Sequence, residues 1–574
     1  MITIEVNQRP IEAKPGETIL SALRRSGIQV PTLCHMEGMA PTGACRMCVV
    51  EVEGQRNLIP SCAHPVADGM KIRTHSPRAV RARKTIVELL LANHPDDCLY
   101  CVRNANCDLR KLAAELGVRQ RQYAGNRSNL DVDMSSPSII RDPAKCILCG
   151  KCVRVCEEIQ GVGAIDFVHR GCHTVVDTAF RRGLNVSSCI NCGQCIVVCP
   201  TGALSEQSHA KEVLNALNDP DLYVIAQHAP SVSVTLGEEF GLRPGSDVAG
   251  IMTATLRKLG FDRVFDTGFA ADLTIMEEAS ELVHRVQNGG PLPMMTSCSP
   301  GWVKFVEQFY PDLLGHVSTC KSPQQMMGAV VKSYFAEQQH LDPARIFSVS
   351  IMPCTAKKFE AGRPEMMGPG GVPDVDAVLT TRELVQIIRM HGLDLQGCVS
   401  EAADNPFGER SSAGKLFGAA GGVMEAAIRT AHFLLTGTEM PQPRIPALRG
   451  PAGIKEARVR IGDLELGVAA VNGLAQARRL LEQIRQGRKD LHFVEVMTCP
   501  GGCVGGGGQP HRLDSAAVRS RMQALYNIDR EDRLIASHRN PSVNRLYAEF
   551  LGDPCGEKSH ELLHTHYVAR ETVS

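Results

Sequence analysis

A spaced run of four cysteines occurs twice in the middle of this chain and constrains its fold more than any other feature. Each copy has the spacing Cys-x2-Cys-x2-Cys-x3-Cys, first at 146–156 and again at 189–199. In such a pair, three cysteines of one run hold one 4Fe-4S cluster while the fourth ligates the other cluster. The predicted sets are therefore crossed: Cys146, Cys149, Cys152 and Cys199 for one cluster, and Cys189, Cys192, Cys195 and Cys156 for its partner.

This repeat predicts a bacterial 2x(4Fe-4S) ferredoxin domain over residues 126–209. Two similar halves are expected, with strands at 164–168 and 174–177 between them. Zinc is the usual alternative for clustered thiols, but its structural sites do not use this doubled spacing. Iron and sulfide are therefore the favoured interpretation.

Length and cysteine content indicate several domains in a reducing compartment. The chain has 574 residues, of which 43% are hydrophobic, and this length is too great for one ordinary core. The clustered ones among its 23 cysteines are expected to be metal ligands rather than disulfides, because no secretory signal is recognised. Four cysteines outside the spaced groups are expected to be buried thiols: Cys172, Cys320, Cys398 and Cys555.

Charge and hydropathy argue against two classes of partner. Lys plus Arg and Asp plus Glu both total 62, so no basic field for nucleic acid is expected. No apolar run approaches the roughly 18 residues of a membrane span. The first residues alternate like a strand instead of resembling a signal peptide. We expect a cytoplasmic protein without nucleic-acid or membrane partners.

Four cysteines near the start predict a 2Fe-2S site. They follow a strand pair at 2–6 and 11–13 and a helix-like stretch at 17–24. A close pair in a loop, with one cysteine on either side, is typical of a ferredoxin-type cluster, and a four-thiolate zinc site is the alternative. The order of elements favours a β-grasp 2Fe-2S ferredoxin domain over 1–77, with the ligands Cys34, Cys45, Cys48 and Cys62.

One histidine and three cysteines form a further set over residues 78–125. They follow a predicted amphipathic helix at 80–91. A zinc site of the same formula is possible, but this segment lies between two iron-sulfur regions. It resembles the 4Fe-4S module of complex I and multi-cluster hydrogenases, which implies the ligands His94, Cys98, Cys101 and Cys107.

The chain from residue 210 to 515 has a different pattern. Short apolar strands at 223–226, 346–352 and 492–497 alternate with helical stretches, which predicts a large α/β domain with a parallel sheet. Cys354 and Cys499 follow two of these strands directly. The loops after parallel strands are where such sheets usually carry chemistry. No nucleotide-binding glycine fingerprint follows a strand, so the chain is expected to move electrons without binding a nicotinamide itself.

Three cysteine motifs in this region resemble the signature motifs of FeFe hydrogenases. They are Thr-Ser-Cys-Ser-Pro-Gly-Trp at 296–302, Met-Pro-Cys-Thr-Ala-Lys-Lys-Phe-Glu at 352–360, and Glu-Val-Met-Thr-Cys-Pro-Gly-Gly-Cys followed by glycines at 495–510. The order of modules is similar to that of the clostridial multi-cluster type along essentially the whole chain, ending in a short helical segment at 516–574. The resemblance implies an H-cluster, a 4Fe-4S cube joined to a two-iron unit with carbonyl, cyanide and azadithiolate.

The family's site residues can be carried across position by position. Cys354, Cys499 and Cys503 match three cube ligands, and Cys503 matches the one that bridges to the two-iron unit. Cys298 matches the thiol that passes protons. The matches that line the two-iron unit are Lys357, Met352, Met497, Ala229, Pro230 and Ser231. The glycine run 505–508 is expected to let backbone approach the cluster.

A proton route is partly visible in the sequence. Glu278, Glu281 and Arg285 have the spacing of one helical face. Without the resemblance, a solvated charged face would explain them. The family's route runs through matching residues, and Ser318 fits its serine.

One position departs from the family pattern, because Ser299 stands where the family has the fourth cube cysteine. A serine hydroxyl normally stays protonated and binds iron less readily than a thiolate. Either Ser299 ligates through oxygen and Cys298 keeps the relay, or Cys298 becomes the ligand and Ser299 the relay. Sequence alone favours the second arrangement, because thiolate coordination is stronger.

The resulting prediction is an enzyme that reversibly reduces protons to H2. The cofactors are one 2Fe-2S cluster, three accessory 4Fe-4S clusters and the H-cluster. The Thr-Ser-Cys-Ser-Pro motif is similar to that of NAD(P)-linked multi-subunit hydrogenases. The resemblance implies that the partners are ferredoxin, or NAD(P)-linked subunits that contain flavin and 2Fe-2S groups. The alternatives are an electron-relay subunit resembling that of complex I, and a hydrogen sensor or cluster-assembly relative.

Overall fold

The first 73 residues form a small sheet with one helix against it. The structure, a computed structural model, describes residues 1–125, 127, 130–511 and 514–572. The sheet has the strand order β2-β1-β5-β3-β4, with β1 parallel to β5 and the other pairs antiparallel, as the β-grasp prediction requires. Its elements are β1 (Ile2–Val6), β2 (Arg9–Ala13), α1 (Ile19–Arg25), β3 (Val49–Val52), β4 (Ile59–Pro60) and β5 (Lys71–Arg73).

Two helices carry the next module. Helix α2 (Pro77–Asn93) begins where Ser76 accepts a hydrogen bond from Ala79 N and a proline occupies the first turn. It includes the predicted stretch 80–91 and packs against helix α3 (Asp108–Glu115). Buried Val87, Leu109 and Leu112 form the small core between them.

The two cysteine runs fold into two similar halves. Their strands form two antiparallel pairs, and the strands predicted at 164–168 and 174–177 are β7 and β8. In each half a left-handed residue, Leu148 or Asn191, precedes a left-handed glycine at which a short helix begins. The elements are β6 (Ile139–Arg141), α4 (Lys151–Arg154), β7 (Asp166–Val168), β8 (Val175–Asp177), α5 (Gln194–Val198) and β9 (Leu204–Glu206).

Two four-stranded sheets organise the large domain. The first, β11-β10-β13-β14, is entirely parallel, as predicted. The second, β12-β17-β16-β15, is mixed, because β15 and β16 form an antiparallel hairpin that the strand pattern did not predict. The strands are β10 (Tyr223–His228), β11 (Arg263–Asp266), β12 (Met294–Met295), β13 (Ile346–Met352), β14 (Ala377–Thr380), β15 (Ile454–Ile461), β16 (Leu464–Asn472) and β17 (Phe493–Met497).

Helices cover both sheets, and the longest is almost entirely buried. That helix, α9, begins after Asp266, whose side chain accepts from Gly268 N, and ends at Gly289 in the left-handed region. The helices are α6 (Ala210–Leu217), α7 (Pro230–Ser233), α8 (Ala249–Lys258), α9 (Thr267–Asn288), α10 (Pro300–Phe309), α11 (Pro323–Val330), α12 (Ala336–Gln339), α13 (Ala356–Ala361), α14 (Thr381–Met390), α15 (Ser412–Leu416), α16 (Gly422–Thr436) and α17 (Leu474–Arg485).

The last three helices pack onto the large domain through buried polar contacts. The Asp529 carboxylate is fully buried, pairs with Arg429 at 2.9 Å and accepts from Ser412 Oγ at 2.8 Å. Such pairs need good geometry to offset their desolvation, and this one has several donors. The helices are α18 (Ser515–Glu531), α19 (Pro541–Leu546) and α20 (Glu557–Leu563).

Two of the four isolated cysteines contradict their predicted burial. Cys320 and Cys398 are buried, as expected, but Cys172 and Cys555 are exposed. Cys172 lies in the turn between β7 and β8, and Cys555 lies in the turn before α20. Neither turn contributes to a core, because each only connects two elements at the surface.

Candidate active site

Four strand ends open onto one buried cavity in the large domain. The loops after β10, β12, β13 and β17 meet there, where parallel sheets usually carry their chemistry. The sequence-predicted residues that line this cavity are Ala229, Pro230, Ser231, Cys298, Ser299, Met352, Cys354, Lys357, Met497, Cys499 and Cys503.

Three of the cavity cysteines suit a metal cluster. Burial is the main cause that raises the pKa of Cys354 and Cys499, and it raises the pKa of Cys503 to about 12. The charge of a neighbouring thiolate or of the Lys357 ammonium also contributes to the pKa of each thiol. Neighbouring buried thiolates repel one another unless they bind a shared cation, and the iron of a cluster supplies that positive charge.

Cys298 and Ser299 point to different neighbours within the cavity. Burial raises the pKa of Cys298, and the nearby Glu278 carboxylate raises it further. Ser299 Oγ lies 2.8 Å from Thr498 Oγ1 and accepts from Thr498 N at 3.3 Å. Thr498 directly precedes Cys499, so Ser299 is held beside the loop of that cysteine, while Cys298 lies near both the Glu278 carboxylate and the Cys503 thiol.

A buried network fixes the Lys357 ammonium at the cavity wall. Its Nζ donates to Ser322 Oγ at 2.6 Å, to Glu360 Oε2 at 2.8 Å and to Cys298 O at 3.2 Å. Glu360 was missed in the sequence, although its position three residues after Lys357 on one helix was a usable signal. The carboxylate holds the ammonium in place at the cavity wall.

Much of the remaining lining is apolar, and Ser231 is one of its polar members. Met352 and Met497 are each only 3% exposed. The Ser231 hydroxyl is buried and has no hydrogen-bond partner among the described residues. A buried hydroxyl without a partner is costly, so a bound polar group is the expected acceptor or donor at this point.

The glycine run 505–508 lets backbone segments pack closely against one another. A Cβ on Gly506 would lie 2.2 Å from Pro353 O, and one on Gly507 would lie 2.0 Å from Cys192 O. Side chains here would separate the loops of Cys354 and Cys192. The glycines therefore join the cavity to the cysteine repeat.

Helix α9 carries the predicted proton route as a buried line of polar groups. Glu281 accepts from Ser318 Oγ at 2.7 Å and from Arg285 Nη2 at 2.6 Å. Glu278 is fully buried, accepts from Ser297 N at 3.4 Å, and has one oxygen without a partner among the described residues. Burial, with a contribution from Glu281, raises the pKa of Glu278 to about 8. This face of α9 is therefore largely buried, and it is not the solvated charged face that would otherwise have explained the spacing of Glu278, Glu281 and Arg285.

The two cysteine runs enclose two separate cavities. One is lined by Cys146, Cys149, Cys152 and Cys199, and the other by Cys156, Cys189, Cys192 and Cys195. The structure thus brings together the two crossed sets. Burial raises the pKa of Cys146 and of Cys156 to about 11, so these thiols also require a cation to ionise.

His94 has the geometry of a ligand at the end of α2. Its Nδ1 lies 3.1 Å from Pro95 O, and its buried Nε2 has no partner in the described part of the chain. A histidine that donates through one nitrogen keeps the other free to bind metal. Cys98 is exposed, whereas Cys101 and Cys107 are partly buried.

In the first domain, Cys45 and Cys62 hydrogen bond to Cys34 and lower its pKa.

Direct contacts join these modules to the cavity. Arg103 Nη1 donates to Cys199 O at 3.0 Å, which ties the His94 module to the repeat. Thr355 Oγ1 donates to Asn191 O at 2.7 Å, and Gln194 Nε2 donates to Gly505 O at 2.8 Å. The cysteine loops therefore follow one another from the His94 module to Cys354.

Family models match almost every part of the chain. The iron only hydrogenase large subunit, C-terminal domain, matches residues 222–507, and the iron hydrogenase small subunit matches 515–570. Upstream, a 2Fe-2S iron-sulfur cluster binding domain matches 1–77, an NADH-ubiquinone oxidoreductase-G iron-sulfur binding region matches 83–122, and a 4Fe-4S dicluster domain matches 145–204. The predicted 2Fe-2S, 4Fe-4S and H-cluster modules are confirmed.

Full-length relatives share this arrangement. The NADP-reducing hydrogenase subunit HndD of Solidesulfovibrio fructosivorans is 47% identical over 100% of both chains. Iron hydrogenase 1 of Clostridium pasteurianum is 40% identical over 99% of this chain and 100% of its own. A structure of the FeFe-hydrogenase HydA1 of Chlamydomonas reinhardtii is 44% identical, with a TM-score of 0.58 over 63% of this chain and 99% of that one.

Within the described ranges, no helix is both long and apolar enough to span a bilayer. Together with the cluster modules, the cavity and the full-length identities, the comparisons show that this chain belongs to the FeFe (iron-only) hydrogenase family and is a hydrogenase.

Proposed function

We propose that Cys354, Cys499 and Cys503 hold the H-cluster at which this hydrogenase interconverts protons and H2. The convergence of these three thiols and Cys298 on one buried cavity carries the proposal. When bound, the H-cluster supplies the iron site at which two electrons and two protons combine. The raised thiol pKa values and the unpartnered Ser231 hydroxyl support a bound group of this kind.

Other residues of the cavity position this group and exclude water. Lys357 presents an ammonium that can donate to an anionic ligand, and a charge-assisted hydrogen bond of this type is short and strong. Glu360 and Ser322 hold that ammonium in place. Met352 and Met497 keep the cavity apolar, so the same bond is weakened less by solvent.

Protons pass along one face of α9 in this proposal. Cys298 exchanges its proton with Glu278, and the route continues through Ser318 and Glu281 to Arg285. A pKa of about 8 leaves the Glu278 carboxyl protonated near neutral pH, so it can donate. Ser318 Oγ donates to Glu281, which gives the alternation of donors and acceptors that proton transfer requires.

The contacts of Cys298 and Ser299 support the arrangement that the sequence does not favour. Cys298 faces Glu278, and the hydroxyl of Ser299 is held by Thr498 beside Cys499. We therefore propose that Cys298 keeps the relay and that Ser299 completes the cube through oxygen. A harder oxygen ligand is expected to hold iron less tightly than a thiolate.

Electrons reach the cavity along the N-terminal clusters. The proposed units are 1–77, 78–125, 126–209, 210–515 and 516–574. The proposed order of electron transfer is from the 2Fe-2S cluster of the first domain to the 4Fe-4S cluster of the His94 module, and then through the two 4Fe-4S clusters held by the crossed cysteine sets. The contact between Thr355 and Asn191 supports the last step, from the set of Cys189 to Cys354.

The proposed partners are NAD(P)-linked subunits with flavin and 2Fe-2S groups, or ferredoxin, in the cytoplasm. A full-length relative is named as a subunit of an NADP-reducing hydrogenase, which supports the first choice. The chain shows no nucleotide-binding glycine fingerprint after a strand. A separate subunit would therefore supply that chemistry.

Maturation with the two-iron cofactor tests these assignments. The matured chain is expected to evolve H2 from reduced viologen and to show carbonyl and cyanide infrared bands. Cys298→Ala is expected to stop turnover while the spectroscopic signature of the cube remains, and Ser299→Cys is expected to retain the cube more firmly. Loss of that signature in Cys298→Ala would instead make Cys298 the ligand.

A further inference from the structure

A second cluster of polar groups lies on α9 behind the proposed relay. Glu277 is fully buried and its carboxylate accepts from the Tyr547 hydroxyl and from Cys555 N, the latter at 2.7 Å. His564 Nε2 lies 3.0 Å from the Glu277 Oε2 atom. The C-terminal helices therefore bring two metal-binding side chains to a carboxylate that the proposed reaction does not use.

His564 is oriented as metal-binding histidines usually are. Its Nδ1 lies 2.8 Å from Thr319 Oγ1 and its ring is only 6% exposed. At 3.0 Å from a carboxylate oxygen, Nε2 donates its proton to Glu277 in this structure. When a metal binds, the proton moves to Nδ1, which donates to the Thr319 hydroxyl, and Nε2 has a lone pair for the metal. A hydrogen bond of this kind fixes the tautomer and the ring plane of a metal ligand.

Cys555 completes the cluster from the surface. Its thiol is exposed, and its backbone has a φ of 56°, which non-glycine residues seldom adopt. The left-handed turn directs Cys555 N and Sγ toward Glu277, with Sγ 3.6 Å from the Glu277 carbonyl oxygen. An unusual backbone conformation that aims a thiol at a buried carboxylate and imidazole is typical of a functional site.

We propose that Glu277, Cys555 and His564 bind a divalent cation of the zinc class. Their donor atoms all lie within 4.8 Å of one another. One carboxylate oxygen, one imidazole nitrogen and one thiolate sulfur are the donors that zinc takes, and water can fill the fourth position from the exposed side. On binding, the Cys555 thiol releases its proton to solvent and forms the metal-sulfur bond.

The site would affect proton supply through Thr319. This residue donates from its backbone N to Glu281 Oε2 at 3.2 Å and contacts His564 through its hydroxyl. Donor atoms of His564, Glu281 and Cys320 also lie within 4.8 Å of one another. A cation that fixes His564 is therefore expected to restrain the groups around Glu281 and slow turnover, an effect that rests on the proposed proton route.

Zinc binding to the matured holoenzyme tests the site directly. Equilibrium dialysis with metal analysis should give one zinc per chain, and the zinc X-ray absorption edge should show one sulfur at about 2.3 Å with lighter ligands at about 2.0 Å. Cys555→Ser should weaken binding at least tenfold, whereas the matched variant Cys172→Ser, which changes another exposed thiol, should not. Unchanged affinity in Cys555→Ser, or a shell without sulfur, overturns the site.

Turnover supplies a separate readout. Zinc should lower H2 evolution by the wild-type chain and by Cys172→Ser, and should leave Cys555→Ser unaffected. Zinc that binds through Cys555 without changing turnover would overturn the link to the relay while the site stands. Since binding is read without turnover, an inactive enzyme would overturn the proposed function and not the cation site.

Discussion

The electron-carrying half and the catalytic half of this molecule bring cysteines together in different ways. Each N-terminal ligand set lies in short loops and helical turns beside small cores, as in the run from Cys146 to Cys156. The cavity of the large domain instead collects Cys354 and Cys503 from the ends of two strands in two different sheets. Spacing along the chain therefore identifies the first kind of site, whereas the second exists only after the sheets have formed.

The two routes also differ in how tightly their groups must touch. An electron can pass between clusters through intervening protein, so loops that approach, such as those of Asn191 and Thr355, are sufficient. A proton moves only between groups in hydrogen-bond contact. This requirement fits the proposed proton route, whose carboxylates Glu278 and Glu281 lie on one helix and close to each other.

Loss of a cavity cysteine should have the largest effect. Cys503→Ala is expected to abolish H2 evolution with any donor, because it removes a proposed ligand of the reacting group. The matched Cys45→Ala, in the 2Fe-2S domain, should lower turnover only in part, since reduced viologen can enter at other clusters. Viologen assays with electron paramagnetic resonance of the accessory clusters measure both. Equal losses would erase the distinction between the halves.

Interruption of the relay should come next. Glu278→Gln keeps the shape of the side chain but removes its exchangeable carboxyl proton, so turnover should fall by about 10²- to 10³-fold. The carbonyl and cyanide infrared bands should be unchanged. Glu337→Gln, on the exposed face of α12, is the control and should retain full activity. Wild-type turnover in Glu278→Gln would remove this residue from the route.

The pH dependence should report the same carboxyl. Because the pKa of Glu278 is raised to about 8, its protonated form is present below that pH and is lost above it. H2 evolution should therefore fall about tenfold per pH unit above 8. The sign for stability is the same: a carboxyl with a raised folded pKa stabilises the fold below its ordinary value near 4.5, and this contribution is lost as pH rises through 8. An alkaline limb that persists in Glu278→Gln would assign it to another group.

The contact between the halves should give the smallest effect. Thr355→Val keeps the branched shape but removes the bond to Asn191 O, which should cost about 1 to 3 kcal/mol of stability because the carbonyl loses its donor. Turnover from viologen should change by less than about twofold. Thermal unfolding and H2 assays separate the two readouts. A loss comparable to that of Glu278→Gln would mean that this contact controls electron transfer.

Much of the fold followed from periodicity and spacing, and the exceptions have physical causes. The strand at 346–352, the helix at 80–91 and the paired strands of the repeat are all present. The antiparallel pair β15 and β16 was not predicted, although exposed Glu456, Arg458 and Arg460 alternate in β15 with less exposed apolar residues, which is a usable strand signal. The exposure of Cys172 and Cys555 depends on turn geometry, which residue type does not reveal.

By itself, the sequence determined the number and kinds of cluster modules and the family. Cluster ligation depends on the local spacing of cysteines and on short contiguous motifs, and both can be recognised without a structure. Tertiary structure alone decided which neighbours Cys298 and Ser299 face, how deeply Glu278 is buried, and that Glu277, Cys555 and His564 meet. Those properties depend on contacts between residues far apart in the chain. Burial and distance also set the pKa values on which the proposed proton route depends.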